Sequence, residues 1–297
     1  MATGKRPIPH PVFWSSLIFV LGVAATLYIA SQEKVFLEAN PQFRPPQVSA
    51  AVPLAYFLGM VIALGIVLFL IPISKLRWVM KVLFAGLYAW GIFIATALSL
   101  PIIPAAIIAV VVSLVWYLWP RVWLHNLVML FALVSVGAVF GRLLSPWTVL
   151  ILLAALSVYD ILSVHFGYML WLAGKLSESD TLPAFVIPKR WSNWNLGLRS
   201  GDLKRLLQAP WGEREFSILG GGDIGFPLLL VASVFLNYRL PESLIVAAFA
   251  LLGLISAYAI QRFFLKGKPI PALPPICFAS VIGFLVVFFI AALACPD

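Results

Sequence analysis

Residues 216–236 read FSILGGGDIGFPLLLVASVFL. Asp223 is the one charged residue in this stretch, and three consecutive glycines stand directly before it. As an α-helix a run of this length covers ~30 Å, the thickness of the bilayer's hydrocarbon core. The reading is a membrane span that carries a carboxylate seven residues, or ~10 Å, beyond its first residue, Phe216.

The rest of the chain supports that reading. Of its 297 residues 63% are hydrophobic, 10% are Asp, Glu, Lys or Arg, and the mean hydropathy is +1.05. A soluble domain carries about a quarter charged residues, so a water-soluble globule is excluded. Nine apolar stretches recur, at roughly 11–30, 51–73, 78–100, 102–119, 122–141, 146–168, 216–236, 242–261 and 270–294. They are apolar on nearly all sides, which excludes the ten-residue alternation of a membrane β-barrel. The expected fold is an all-α polytopic membrane protein of nine transmembrane helices. The first run, after Lys5 and Arg6, has the outline of a signal peptide but is long enough to span and is read as an anchored helix.

Charge placement orients the bundle. Of the 20 Lys and Arg residues, 16 fall in the N-terminus and the even-numbered links and 4 on the opposite side. The positive-inside rule then expects a cytoplasmic N-terminus and an external C-terminus. No single basic face or nucleic-acid module accompanies the net charge of +9, so nucleic acid is not an expected partner and membrane lipid is. Three parts follow: a six-helix bundle over 1–168, a cytoplasmic or interfacial link over 169–215, and a three-helix part over 216–297. Trp191, Trp194 and Trp211 suit the link to the headgroup region.

Nine of the 11 acidic residues lie in links or termini; the exceptions are Asp160, in LLAALSVYDILSVHFGY, and Asp223. An aspartate in the membrane interior costs ~2.5–3.5 kcal/mol on insertion scales, so its default reading is functional. Asp160 lies eight residues before Tyr168, ~12 Å from the same side as Asp223. Two antiparallel helices thus bring two carboxyls to matching depth. Such a pair shares one proton: the ionised member draws a proton from water while the protonated one polarises a peptide carbonyl. That chemistry needs no metal, cofactor or covalent nucleophile. His10, His125 and His165 make no HExxH, and Cys277 and Cys295 form neither a metal-spaced set nor a disulfide framework. The acids alone also fit an ion-coupled transporter or interhelical hydrogen bonding.

Gly220, Gly221 and Gly222 allow either close helix packing or local unwinding that admits an extended chain. Pro227 interrupts the helical ladder one turn later. In PIPALPP, at 269–275, the prolines predict irregular backbone at the start of the last run. This segment reads as an entry kink or as a third wall of the aspartate site.

Tyr159-Asp160, the GGGD of Gly220–Asp223 and the Pro271-Ala272-Leu273 triplet occur in the order and spans of the presenilin and signal peptide peptidase family, which the chain resembles. It looks like a compact archaeal member, with the presenilin orientation of the N-terminus. The resemblance implies an intramembrane aspartyl protease of the GxGD type in the cell membrane, its site nearer the cytoplasmic side. Asp160 and Asp223 would activate water, Gly220 and Gly222 would fill the motif's glycine positions with Gly221 in the variable one, and Tyr159 would support the site. Pro271, Ala272 and Leu273 would border the cavity and position substrate. Transmembrane-helix proteins are the implied substrates; homo-oligomerisation and accessory subunits are left open. A prepilin-peptidase-like protease shares the GxGD aspartate but does not account for the Pro-Ala-Leu triplet.

Overall fold

The computed structural model describes residues 11–43, 51–70, 73–168, 181–198, 215–263 and 271–294. These residues form nine α-helices: α1 (Pro11–Ala39), α2 (Ala51–Leu70), α3 (Ile73–Ala97), α4 (Ile102–Leu118), α5 (Val122–Gly141), α6 (Pro146–His165), α7 (Gly221–Asn237), α8 (Leu240–Phe263) and α9 (Leu273–Ala294). Six described helices are long and apolar enough to cross a membrane, and α4 and α7 are shorter apolar helices. Lipid is as apolar as leucine, so close backbone approach and interhelical hydrogen bonds hold such a bundle together. Gly91 on α3 meets α5 so closely that an added Cβ would lie 2.5 Å from the Ala132 Cα, and Ser135 donates to the Gly91 carbonyl at 2.7 Å. Ser233 on α7 donates to Leu144 beyond the end of α5 at 2.5 Å.

Central to the bundle is α7, against which α5, α1, α8 and α6 all pack. Leu228, Leu230, Val231, Ala232, Ser233 and Val234 are fully buried along it. Its 17 residues make a helix of ~25 Å, shorter than the hydrocarbon core.

The all-α expectation requires a correction. Residues 216–220 are not the first turns of a span. They form strand β2 (Phe216–Gly220), antiparallel to β1 (Ala184–Pro188) with Ala184 opposite Gly220 and Pro188 opposite Phe216. Lipid tolerates non-helical backbone only where protein covers it; β1 is buried on both faces, whereas Ile218 of β2 is exposed. Phe185, Ile187 and Leu219 point into the main core of the bundle; Ala184, Val186 and Phe216 join Val122, Leu182, Leu198 and Trp194 in a second cluster.

The short helical turn Trp191–Asn195 follows β1. Trp191 and Trp194 pack edge-on against Trp14 near the start of α1, at 4.8 and 5.2 Å between ring centres. Trp211 and Pro269 lie outside the described residues.

Candidate active site

Asp160 sits five residues before the end of α6. Gly167, at φ 71°, then takes the left-handed conformation that commonly follows a helix end. The Asp160 Oδ2 accepts the backbone N–H of Leu273 at 3.2 Å, and the Ala272 N–H also bonds this carboxyl. The two prolines that follow explain why these are the donors that remain. A helix start leaves several N–H groups without intrahelical acceptors. Pro274 and Pro275, in the first turn of α9, have no N–H to offer. The orphan donors at Ala272 and Leu273 are both directed at Asp160. Among the described residues the irregular start expected for this run takes in Pro271 and Ala272, and helix begins at Leu273.

Asp223 is the third residue of α7, not the eighth of a longer helix, so its expected depth of ~10 Å along a helix is corrected to two residues, ~3 Å, from the helix start. From there its carboxyl folds back over the preceding residue and accepts the Gly220 N–H, the reciprocal half of a capping box. A Cβ on Gly220 would lie 3.0 Å from the Asp223 Oδ2. Pro227 lacks the N–H that would bond the Asp223 carbonyl four residues earlier, so this turn of α7 is released from the helical ladder.

Asp160 and Asp223 lie close enough to interact electrostatically, and both side chains are half-buried. The structure therefore brings together α6, α7 and the start of α9 around two carboxyls. Gly221 is buried, with its N–H bonded to the Pro183 carbonyl at 2.9 Å. Gly222 is half-buried and abuts the Phe226 ring. Tyr159 is 41% exposed and stands on the open side of α6, not packed into a wall. Among the described residues no three His, Cys, Asp or Glu side chains gather as a metal site would require.

The sheet leads directly to Asp223. Lys189 N–H bonds Glu215, and Gly221 N–H bonds Pro183; with the pairing register these fix which groups face β1. Residues 217 and 219 bond inward, whereas the N–H and C=O groups of Phe216, Ile218 and Gly220 point along the opposite edge. The sheet has two strands, so no other described strand covers that edge. It ends at the Gly220 N–H, which holds Asp223.

Sequence reasoning missed several side chains here. Tyr258 on α8 shares a hydrogen bond of 2.5 Å with Ser15 on α1, bonds Ser217 on β2, and lies within electrostatic reach of Asp223. Ser15 donates to Pro11, so the hydroxyls form a chain from the sheet to the start of α1. His125 and Asn126, on the first turns of α5, bond the backbone of β1. A polar side chain inside an apolar run was the available signal, since such groups find partners.

A model for the family described as signal-peptide peptidase, presenilin aspartyl protease matches residues 15–293. A comparison with curated proteins finds no match. Among solved structures, one described as a presenilin family intramembrane aspartate protease in space group C222 is similar, with a TM-score of 0.63 and 21% identity over 95% of this chain and 100% of that one. A second, described as a presenilin family intramembrane aspartate protease in space group P2, has a TM-score of 0.59 and 23% identity over 92% and 96%.

Proposed function

Because the chain belongs to the signal-peptide peptidase and presenilin aspartyl protease family, we propose that it is an intramembrane protease of the GxGD type whose catalytic groups are Asp160 and Asp223. The observation that carries this reading is the pair of half-buried carboxyls within electrostatic reach, at the end of a strand edge that no other described strand covers. Two close carboxyls cannot comfortably both ionise, so the resting pair holds one proton. The ionised member takes a proton from water as the water oxygen attacks the scissile carbonyl carbon. The protonated member donates to the carbonyl oxygen, and collapse of the tetrahedral species delivers a proton to the departing amide nitrogen.

A substrate helix hides its amide in its own hydrogen bonds, so the cut segment must first unwind. The freed N–H and C=O groups then need partners, and the outer edge of β2 offers a row of them. A segment added there runs past Gly220 to the two carboxyls. Ala272 and Leu273 hold Asp160 in place through their N–H groups, the positioning role for the Pro-Ala-Leu segment, while Gly220 does the same for Asp223.

In this reading all nine helices cross the membrane, the N-terminus is cytoplasmic and the C-terminus external, and the site opens towards the cytoplasm of the cell membrane. Substrates are proteins with transmembrane helices, lipid surrounds the apolar faces, and weak helix formers near the cut ease unwinding. The test is cleavage of a single-span peptide by the purified protein in detergent, beside Asp160→Asn and Asp223→Asn. Each variant is expected to lose activity by at least ~1000-fold, the order seen when a catalytic member is removed. Full activity in either variant rejects the two-acid mechanism. Proton-driven uptake into sealed vesicles with no peptide product would instead identify a transporter.

A further inference from the structure

The backbone of β1 is held on its outer edge by side chains where a sheet would supply a strand. The Asn126 Nδ2 donates to the Val186 carbonyl at 2.7 Å, and the Val186 N–H donates to the Asn126 Oδ1 at 3.0 Å. One amide side chain thereby makes both bonds of an antiparallel partner residue. Next to it, Trp116 Nε1–H donates to His125 Nδ1 at 3.3 Å. Indole nitrogen is a donor only, so Nδ1 accepts and the other ring nitrogen carries the proton. The His125 Nε2–H then donates to the Ala184 carbonyl at 3.0 Å. Both residues are buried in α5, at 2% exposure for His125 and 5% for Asn126.

The sheet needs such a device. Register is ordinarily set because a one-residue slip would turn apolar side chains out to water. Strand β1, AFVIP, is buried at all five positions. Its two faces meet two apolar clusters, so apolar patterning does not distinguish one register from its neighbour. No tight turn joins the strands either, since β1 ends at Pro188 and β2 starts at Phe216. Asn126 is different: its amide recognises one residue's N–H and C=O together.

We infer that Asn126 is the positioning residue that fixes the register of the sheet, and through it which substrate peptide bond meets the two aspartates. Asn126 fixes Val186, and the residues on either side of it, Phe185 and Ile187, carry the ladder bonds to Leu219 and Ser217. The Pro183 carbonyl fixes Gly221, two residues before Asp223. β2 runs directly into α7 at Gly221, so a two-residue slip of β1 along β2, ~7 Å, takes Pro183 away from Gly221 and frees the start of α7, with Asp223, to shift against the β2 edge and meet a different bond. The open edge of β2 and not the edge of β1 is left for substrate, because Asn126 and His125 occupy the latter. This inference rests on the protease reading above and adds a determinant of cleavage position.

The experiment compares purified wild-type protein with Asn126→Asp and Asn126→Leu in detergent, on a single-span peptide. Asn126→Asp is isosteric and keeps one acceptor but turns a carboxylate oxygen towards the Val186 carbonyl. Product ends are read by mass spectrometry, and hydrogen exchange is followed at residues 184–188. The expected result is faster exchange at Val186 in both variants and a several-fold rise in the share of products cut at neighbouring bonds. Unchanged exchange overturns the clamp. Faster exchange with product ends in wild-type proportions overturns the register claim even if total activity falls, since that pattern is loss of stability alone. A wild-type protein that leaves the peptide intact overturns the protease reading and the register claim with it, while exchange at 184–188 still reports on the clamp.

Discussion

Gly220, Gly221 and Gly222 are adjacent in sequence but meet different surroundings. A Cβ at Gly220 would press on a carboxyl oxygen of Asp223, which must give by a few tenths of an ångström. At Gly221 it would lie 2.4 Å from the Met129 methyl and 3.1 Å from the Pro183 carbonyl; at Gly222 it would meet only the Phe226 ring, at 3.2 Å. Because a displacement of ~1 Å in a catalytic group can cost ~100-fold, Gly220→Ala is expected to lower kcat by roughly tenfold with little loss of folding. Steady-state cleavage together with thermal unfolding checks this, and an unaltered kcat contradicts it. Gly221 stands where the motif admits any residue, yet in this chain it is the most tightly enclosed of the three and supplies the N–H that ties α7 to Pro183. The motif marks the candidate site, but the different demands on its glycines come from Met129, Pro183 and Phe226, which nothing in GGGD announces.

The contact between α8 and α9 shows how one helix position governs the site. A Cβ on Gly253 would lie 2.7 Å from the Ile276 Cα and 2.8 Å from the Pro275 carbonyl, both backbone atoms that cannot rotate aside. Gly253→Ala must push the first turn of α9 away, and that turn holds Asp160 through Leu273. Overpacking of this kind costs about 1–3 kcal/mol. The variant is expected to show a lower unfolding temperature and slower cleavage together. Gly86→Ala on α3, where nothing lies within 4 Å, is the neutral comparison. If both variants unfold and cleave like wild type, the α8–α9 contact does not position Asp160. The helices themselves were legible, because twenty-residue apolar runs leave lipid-exposed backbone few alternatives. The strands were not. FSILG reads as a continuation of the apolar run that follows it, and AFVIP lies among the Lys, Arg and Trp of a polar link. Short apolar segments do not separate strand from helix by periodicity; pairing across nearly thirty intervening residues decides it.

Charge asymmetry sets the expected arrangement of the whole molecule in the membrane. Reporter domains fused within the link 189–198 are expected on the cytoplasmic side, and one fused after Ala294 on the external side. The reverse pattern would place the aspartates nearer the external face and would leave the positive-inside count without force. Asp160 and Asp223 were legible as a pair from their residue type and shared end of the bundle, although the helical depth assigned to Asp223 rested on turns that are in fact strand. The network that steadies them was not, because Ser15, Asn126 and Tyr258 are distant in sequence and converge only through packing.

The first turns of α1 carry two of these contacts: Trp14 stacks edge-on against the indoles after β1, and Ser15 bonds Tyr258 beside the start of β2. The start of α1 thus braces both strands of the sheet, though neither aspartate belongs to it. Loosening the first turns of α1 would slacken both strands at once, from a place in the sequence some two hundred residues away from Asp223.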